Sequence, residues 1–381
     1  MPAASSTGVA ILGAGLFAKE AHLPGLETLK GLAPTLKAVY SRSLKSSSEL
    51  ADEAKKRLGV APDVYHDGDS SANLDVLLAR SDINSVIVVL PITQQPSIIL
   101  KALAAGKHVL SEKPVAPDVA SGIKLIAEYN ATYKTKGLVW RVAENFEAEP
   151  GYIAAGRAIR DGKIGKVTFF SSRVVNYIDQ DSKWYKTPWR TVPDYQGGFL
   201  LDGGVHSTAA LRVMLPSAMT HLSGFASLNK DWLAPHDTIN TIIKAADGSH
   251  GIFELSFAAP SASRSSVGNG TIITGTDGWL SVSQTKVKDS VTGGDKSVFR
   301  VIIKSAKTDA HGKLGPEKEE IIDEAVRGVE VELASFFAAA FEGKDDGLGD
   351  PLGALRDVAI IEAALNSEGQ PINLEKLVSG S

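Results

Sequence analysis

Along the first 145 residues, short apolar runs alternate with stretches of helical periodicity. The runs Val9–Leu12, Leu36–Tyr40, Val86–Leu90, His108–Leu110 and Leu138–Val142 enclose the segments Ser48–Leu58, Asn73–Ala79, Pro96–Ala105 and Val119–Tyr133. Nearly continuous apolar strands separated by helices predict a parallel sheet covered on both faces, a doubly wound α/β half. The pattern changes after about Glu149. Thr168–Asn176 and Thr238–Ala246 are longer, β-branched and partly alternating, as in an antiparallel sheet with one wetter face. Ala246-Asp247-Gly248-Ser249 reads as a hairpin turn, and Gly275-Thr276-Asp277-Gly278 as a second turn between strands. Near the end, Val329, Leu333, Phe336 and Ala340 recur at helical spacing, and Asp350-Pro351 starts another helix with a cap and a first-turn proline. Ser261–Gly270 and Thr292–Lys296 read as mobile loops.

A length of 381 residues favours two domains over one, because single cores rarely grow beyond about 250–300 residues. The expected division is 1–145 and 146–381. Forty basic residues against 44 acidic ones leave a net charge of -4, which gives no electrostatic reason to expect nucleic acid or an anionic membrane as partner. With no cysteine, disulfides, thiol nucleophiles and thiolate metal sites are excluded. Met1–Gly8 lacks a basic cluster followed by an apolar core, and Val86–Ile92 and Phe336–Phe341 are too short to span a bilayer. A soluble cytoplasmic protein is expected, with no metal.

Gly13-Ala14-Gly15-Leu16-Phe17-Ala18 follows the first strand and opens a helical segment. Gly13 permits a tight turn, Gly15 lets the backbone approach a pyrophosphate, and Ala18 permits close helix packing, as in a Rossmann domain. The plainer reading is a tight strand–helix turn; its place in the first strand of a βαβ unit favours the nucleotide. The second strand ends in Tyr40-Ser41-Arg42-Ser43, where an NAD site usually carries a carboxylate for the ribose 2′-hydroxyl. Arg42, flanked by the Ser41 and Ser43 hydroxyls with Lys45 nearby, suits a 2′-phosphate instead, so the expected cofactor is NADP(H).

Glu112-Lys113-Pro114 ends the strand begun at His108, at the sheet edge where open α/β folds bind ligands. A lysine there can donate a proton or a hydrogen bond to a carbonyl, although most lysines simply bridge to solvent. In Gly197–His206, Asp202 and His206 are four apart, which on a helix puts both on one face. Imidazole suits proton transfer near neutral pH; the bland alternative is a capped helix start with a satisfied core histidine. Ahead of it, Trp184, Tyr185, Trp189 and Arg190 suit either a substrate wall or a packing loop.

Together these residues resemble the glucose-fructose oxidoreductase / inositol dehydrogenase (Gfo/Idh/MocA) family. The resemblance rests on Gly13-x-Gly15, on Ala105-Gly106-Lys107-His108-Val109-Leu110-Ser111-Glu112-Lys113-Pro114 and on Gly197 through His206, with Glu144-Asn145, Ile164-Gly165 and the two C-terminal helices matching in order. It covers nearly the whole chain, and the second string is its most specific part. It implies a nicotinamide cofactor held by a Rossmann domain, followed by an α+β domain with a large, mostly antiparallel sheet, often used for oligomerisation; a homo-oligomer, with a dimer favoured, is expected. It implies Lys113, Asp202 and His206 as the catalytic group: His206 exchanges the proton, Lys113 polarises the same oxygen, and Asp202 holds substrate or histidine. The implied cofactor contacts are Gly13, Gly15, Leu16, Phe17, Ser41, Arg42, Ser43, Lys45, Leu90, Pro91, Gln95, Glu112, Lys113 and Asn145. The implied substrate contacts are Trp184, Tyr185, Trp189, Arg190, Asp202 and His206. Three positions depart from the family pattern: Gln95 replaces a frequent histidine, Ala209 a frequent aspartate, and Phe199 an expected third glycine.

The expected activity is hydride transfer between nicotinamide and a sugar, polyol or related carbonyl or hydroxyl compound. A non-enzymatic NADP-sensing regulator on the same fold is the alternative, and the retained Lys113, Asp202 and His206 argue against it. Redox-assisted glycoside hydrolysis with tightly held NAD is disfavoured by Ser41-Arg42-Ser43.

Overall fold

A computed structural model of the chain describes residues 7–289, 293–308 and 311–380. Residues 1–6 of the N-terminal segment and Thr292 of the expected loop Thr292–Lys296 lie outside the described residues. The chain forms two compact units, one of residues 1–145 with 329–355, the other of 146–328 with 356–381.

The first unit holds a six-stranded parallel sheet: β1 (Gly8–Leu12), β2 (Thr35–Ser41), β3 (Asp63–His66), β4 (Ser85–Val88), β5 (His108–Glu112) and β6 (Trp140–Ala143). The order is β3-β2-β1-β4-β5-β6, so the chain reverses direction across the sheet between β1 and β4. β1 and β4 are wholly buried, as their unbroken apolar runs require. β3 has no such run in the sequence and is half-buried at the sheet edge, which is why the apolar pattern did not reveal it.

The division differs from the expected cut at 145. Leu333, Phe336 and Phe337, on the helix Gly328–Glu342, join Val9, Ile11, Val39, Leu50 and Ile87 in one core cluster. The apolar stripe recognised at 329–340 therefore covers the parallel sheet, and 329–355 belongs with the first unit.

The second unit is built on a nine-stranded sheet of β7 (Val167–Val175), β8 (Met219–Ser227), β9 (Thr238–Ala245), β10 (His250–Ser256), β11 (Gly270–Gly275), β12 (Gly278–Lys288), β13 (Asp295–Ser305), β14 (Lys318–Ala325) and β15 (Ile372–Asn373), in the order β14-β13-β12-β11-β7-β10-β9-β8-β15. Among the described residues, only β7 and β10 of this sheet pair parallel. Asp247-Gly248 turns β9 into β10, and Thr276-Asp277 joins β11 to β12, both as the turn residues indicate. Asp350 caps the helix Pro351–Asn366, its carboxylate accepting from the Leu352 and Gly353 amides.

The two expected loops are partly regular. Ser261–Gly270 contains the helical turn Ala262–Ser265, and the Asn269 amide clasps β7 by accepting from the Val175 amide at 2.9 Å. Asp295 and Lys296 already belong to β13. Among the described residues no helix is long and apolar enough to cross a membrane.

Candidate active site

In the first unit, the expected cofactor residues gather at the carboxyl ends of the parallel strands, where ligands bind in open α/β sheets. Gly13 leaves β1 with φ +116°, and its amide donates to the Tyr40 carbonyl at 2.8 Å. A Cβ here would stand 2.0 Å from the Val89 carbonyl oxygen, so no other residue fits. A Cβ on exposed Gly15 would meet no heavy atom within 4 Å. Leu16 and Phe17 then begin a helix whose next turn, Ala18–His22, is π-helical: the Leu23 amide reaches back to the Ala18 carbonyl.

At the end of β2, Ser41 is half-buried and Arg42 exposed, and Arg42 has no hydrogen bond or ion pair with a described residue. Ser43 caps the helix Leu44–Leu58, its hydroxyl accepting from the Ser46 amide, so this oxygen already has a structural task. Lys45 is exposed one turn into that helix. The Tyr40 hydroxyl donates to Asp67 at 2.5 Å; burial and this carboxylate push the phenol's pKa well above its ordinary value.

After β4, Leu90 and Pro91 are half-buried, and Leu90 lies beside Gly13. Gln95 opens the helix Gln95–Ala104 with 1% exposure, yet neither its amide nitrogen nor its oxygen has a partner. An orphaned buried amide costs roughly 1–3 kcal/mol, a cost that a polar ligand group would relieve.

The string Ala105–Pro114 divides into two kinds of residue. Lys107 donates to the carbonyls of Arg80 and Ile83, each at 2.7 Å, and His108 Nδ1 accepts from the Val139 amide, so both tie β5 to its surroundings. Burial lowers the pKa of each. Glu112 and half-buried Lys113 close the strand, and the Lys113–Pro114 bond is cis. Glu112 is buried and pairs with His22, 2.7 Å away. Asn145 ends the first unit, two residues beyond β6.

In the second unit, Asp202 and His206 lie one turn apart on the helix Phe199–Met214. Gly197 and Gly198 lead into it with φ of +69° and +54°. The helix is seated by close packing: a Cβ on Gly204 would come within 2.7 Å of Leu255. Near its end, Arg212 donates to Asp357 at 2.8 and 2.9 Å and to Glu147 at 3.0 Å, and these carboxylates hold the guanidinium's pKa well above normal against the cost of burial. Ala209, where the family often has aspartate, is fully buried in this seat.

Asp202, 4% exposed, sits in the first helical turn, where the helix dipole favours a negative charge. Arg190 Nε donates to it at 2.7 Å, and the same guanidinium lies 4.2 Å above the Trp189 ring. His206 is half-buried with its ring 4.9 Å from that of Phe146. Trp184 and Trp189 are half-buried, whereas Tyr185 is buried and donates its hydroxyl to the Trp232 carbonyl at 2.6 Å, which commits it to packing. The eight-residue aromatic segment thus divides between the Asp202 site and the interior.

Sequence reasoning missed two neighbours. Tyr195 is buried with its hydroxyl unpartnered, and burial first, then the Asp202 carboxylate, raise its pKa. His22 is fully buried, and its partner Glu112 lies 90 residues away, so no local pattern announces it. Among the described residues, no group of three or more histidines or carboxylates is arranged to hold a metal ion.

Comparison with known proteins agrees with the fold of both units. Residues 7–138 match the model described as an oxidoreductase family with an NAD-binding Rossmann fold, and 152–281 match the GFO/IDH/MocA C-terminal domain. A dehydrogenase of Fusarium mangiferae is 36% identical over 366 residues, covering 94% of this chain and 96% of its own. The dTDP-3,4-didehydro-2,6-dideoxy-alpha-D-glucose 3-reductase of Streptomyces violaceoruber is 30% identical over 214 residues, 55% of this chain and 55% of its own. The crystal structure of an oxidoreductase from Thermotoga maritima superposes with a TM-score of 0.79 at 29% identity, covering 97% of this chain and 99% of the other. By near-full-length similarity and by both of its domains, the chain belongs to the GFO/IDH/MocA oxidoreductase family.

Proposed function

We propose that this protein is an NADP(H)-dependent oxidoreductase acting on a sugar, polyol or related carbonyl or hydroxyl compound. The observation that carries the cofactor reading is the edge formed by Gly13, Gly15 and Arg42. Gly15 leaves open space beside a helix start, while the end of β2 presents an unpaired guanidinium where a carboxylate would select NAD. The residues fit the dinucleotide: Gly13, Gly15, Leu16 and Phe17 for the pyrophosphate, Ser41, Arg42 and Lys45 for the 2′-phosphate, and the orphaned Gln95 amide for a polar group farther along. The Ser43 hydroxyl is already engaged within its helix start, accepting from the Ser46 amide and pairing with the Ser46 hydroxyl at 2.8 Å.

When bound, nicotinamide supplies the hydride donor or acceptor. The chain's own residues then manage orientation and protons. Lys113 donates a hydrogen bond to the reacting oxygen, and His206 gives or takes its proton. Asp202, fixed by Arg190, orients substrate hydroxyls as an acceptor, and the faces of Trp184 and Trp189 suit the CH surfaces of a ring. The sugar-like substrate class also draws on the named activity of the Streptomyces relative. A screen of sugars, polyols and their keto forms, followed by the absorbance of reduced nicotinamide, tests the reading. Turnover with at least one class supports it, and none across the panel despite tight NADPH binding favours a nucleotide-sensing role.

We assign a homodimer through the open face of the large sheet. Ile242, Ile252, Ile272 and Ile321 are all about half exposed or more, and strand register sets them in one row with Ser223, Ser171, Ser281 and Ile302 across eight strands. A row with five isoleucines, four of them this exposed, interspersed only with small serines is unusual on the open face of a monomer, and pairing with its own copy across a two-fold axis covers it.

A further inference from the structure

We propose that His22 is a positioning residue, which through Glu112 ties the turn that receives the cofactor's phosphates to the strand end that carries Lys113. The proposal rests on the cofactor reading above and adds a residue to it. His22 is 0% exposed, and its Nε2 lies 2.7 Å from Glu112 Oε1. Its other nitrogen, Nδ1, is buried without a partner, so the ring's single polar engagement is the one with Glu112. The Phe17 and His22 rings meet edge to face, with centroids 5.4 Å apart.

Two features give this pair a task beyond packing. A buried carboxylate is costly unless it is paired, and Glu112, 8% exposed, sits at the carboxyl edge of the sheet, one residue before Lys113. An unpaired charge there would oppose the anionic pyrophosphate of the cofactor. The second feature is the helix itself: Ala18–His22 is a π-helical turn, a conformation uncommon in proteins and frequent at functional sites. The wide turn directly follows Gly13–Phe17, so the segment that presents its amides to phosphate also presents His22 inward to β5. A shift at either end is transmitted through one hydrogen bond to the other.

β2 and β5 are three strand spacings apart in the sheet, on the order of 14 Å. A ligand confined to the β2 side therefore does not sense Glu112, and one that extends toward β5 does. The test compares NADPH with adenosine 2′-monophosphate, which carries the 2′-phosphate but lacks the pyrophosphate and the nicotinamide half, by titration of the full-length protein and its variants. His22→Ala is expected to weaken NADPH tenfold or more while leaving adenosine 2′-monophosphate within twofold. His22→Gln, whose amide can still donate to the carboxylate, should hold NADPH within about threefold of wild type. Adding Glu112→Gln to His22→Ala should recover part of the loss, because the stranded charge is gone. Wild-type NADPH affinity in His22→Ala overturns the proposal, and so do equal losses of both ligands, which mean general damage to the domain. If His22→Ala does not fold, the soluble Glu112→Gln variant decides: unchanged NADPH affinity refutes the coupling. A wild type that binds neither probe refutes the cofactor reading itself, before any variant is compared.

Discussion

Two glycines two residues apart are expected to fail in opposite ways when each is changed to alanine. At Gly13 the new methyl would stand 2.0 Å from the Val89 carbonyl oxygen, and φ of +116° is closed to alanine. Backbone strain of about 1–3 kcal/mol and overpacking of about 1–3 kcal/mol add, because β1 and β4 are wholly buried and cannot part freely. A loss of about 2–6 kcal/mol corresponds to a Tm lowered by roughly 4–24 °C at this unit size. At Gly15 the methyl meets nothing and φ is not in the left-handed region, so Tm should stay within about 2 °C, with Gly→Ala slightly favourable in the unfolded-state balance. That methyl occupies the open space assigned to the pyrophosphate, so NADPH affinity should fall tenfold or more, about 1.4 kcal/mol. Thermal melts without cofactor and fluorescence titrations with NADPH, run on both variants, separate the two outcomes. Unchanged NADPH binding by Gly15→Ala would refute the placement of the phosphates, and an unshifted melt for Gly13→Ala would refute the packing argument.

Other substitutions address the remaining assignments. Arg42→Asp should weaken NADPH by a hundredfold or so while changing NADH little, since a phosphate contact of about 2–3 kcal/mol is replaced by repulsion; equal losses for both nucleotides would remove Arg42 from the 2′-phosphate site. Lys113→Ala should bind NADPH nearly as wild type yet lose turnover by roughly 10²–10⁴-fold, and full activity would end its proposed role. His206→Asn should lower turnover by roughly 10²–10⁴-fold with NADPH affinity near wild type, and full activity would point to another proton carrier. Ile252→Lys places a charge within the exposed isoleucine row and should convert the proposed dimer to monomer in sedimentation; a wild-type monomer contradicts the proposed interface.

The parts of this fold legible in the sequence are those whose physics is local. Buried parallel strands write continuous apolar runs, and β1, β2, β4, β5 and β6 follow from them, whereas edge strand β3 with its Asp-Val-Tyr-His segment has no run to read. Asp247-Gly248 and Asp350-Pro351 declare a turn and a helix start by their own chemistry. The return of 329–355 to the first unit was not legible, because an amphipathic stripe at Leu333, Phe336 and Phe337 says that a helix covers a core but not which core. The same limit applies at the site. The spacing of Asp202 and His206 shows in the sequence, but Arg190 as the partner of Asp202, the inward commitment of Tyr185 and the bond from His22 to Glu112 depend on tertiary placement.

The most direct test of the account is a parallel fluorescence titration of the purified protein with NADPH and NADH. Binding of NADPH at least tenfold tighter than NADH is the predicted result, because Arg42 and Ser41, with no carboxylate, close β2. Equal affinity, or tighter NADH, would contradict the assignment of the 2′-phosphate site, and binding of neither would contradict the oxidoreductase function proposed for this chain.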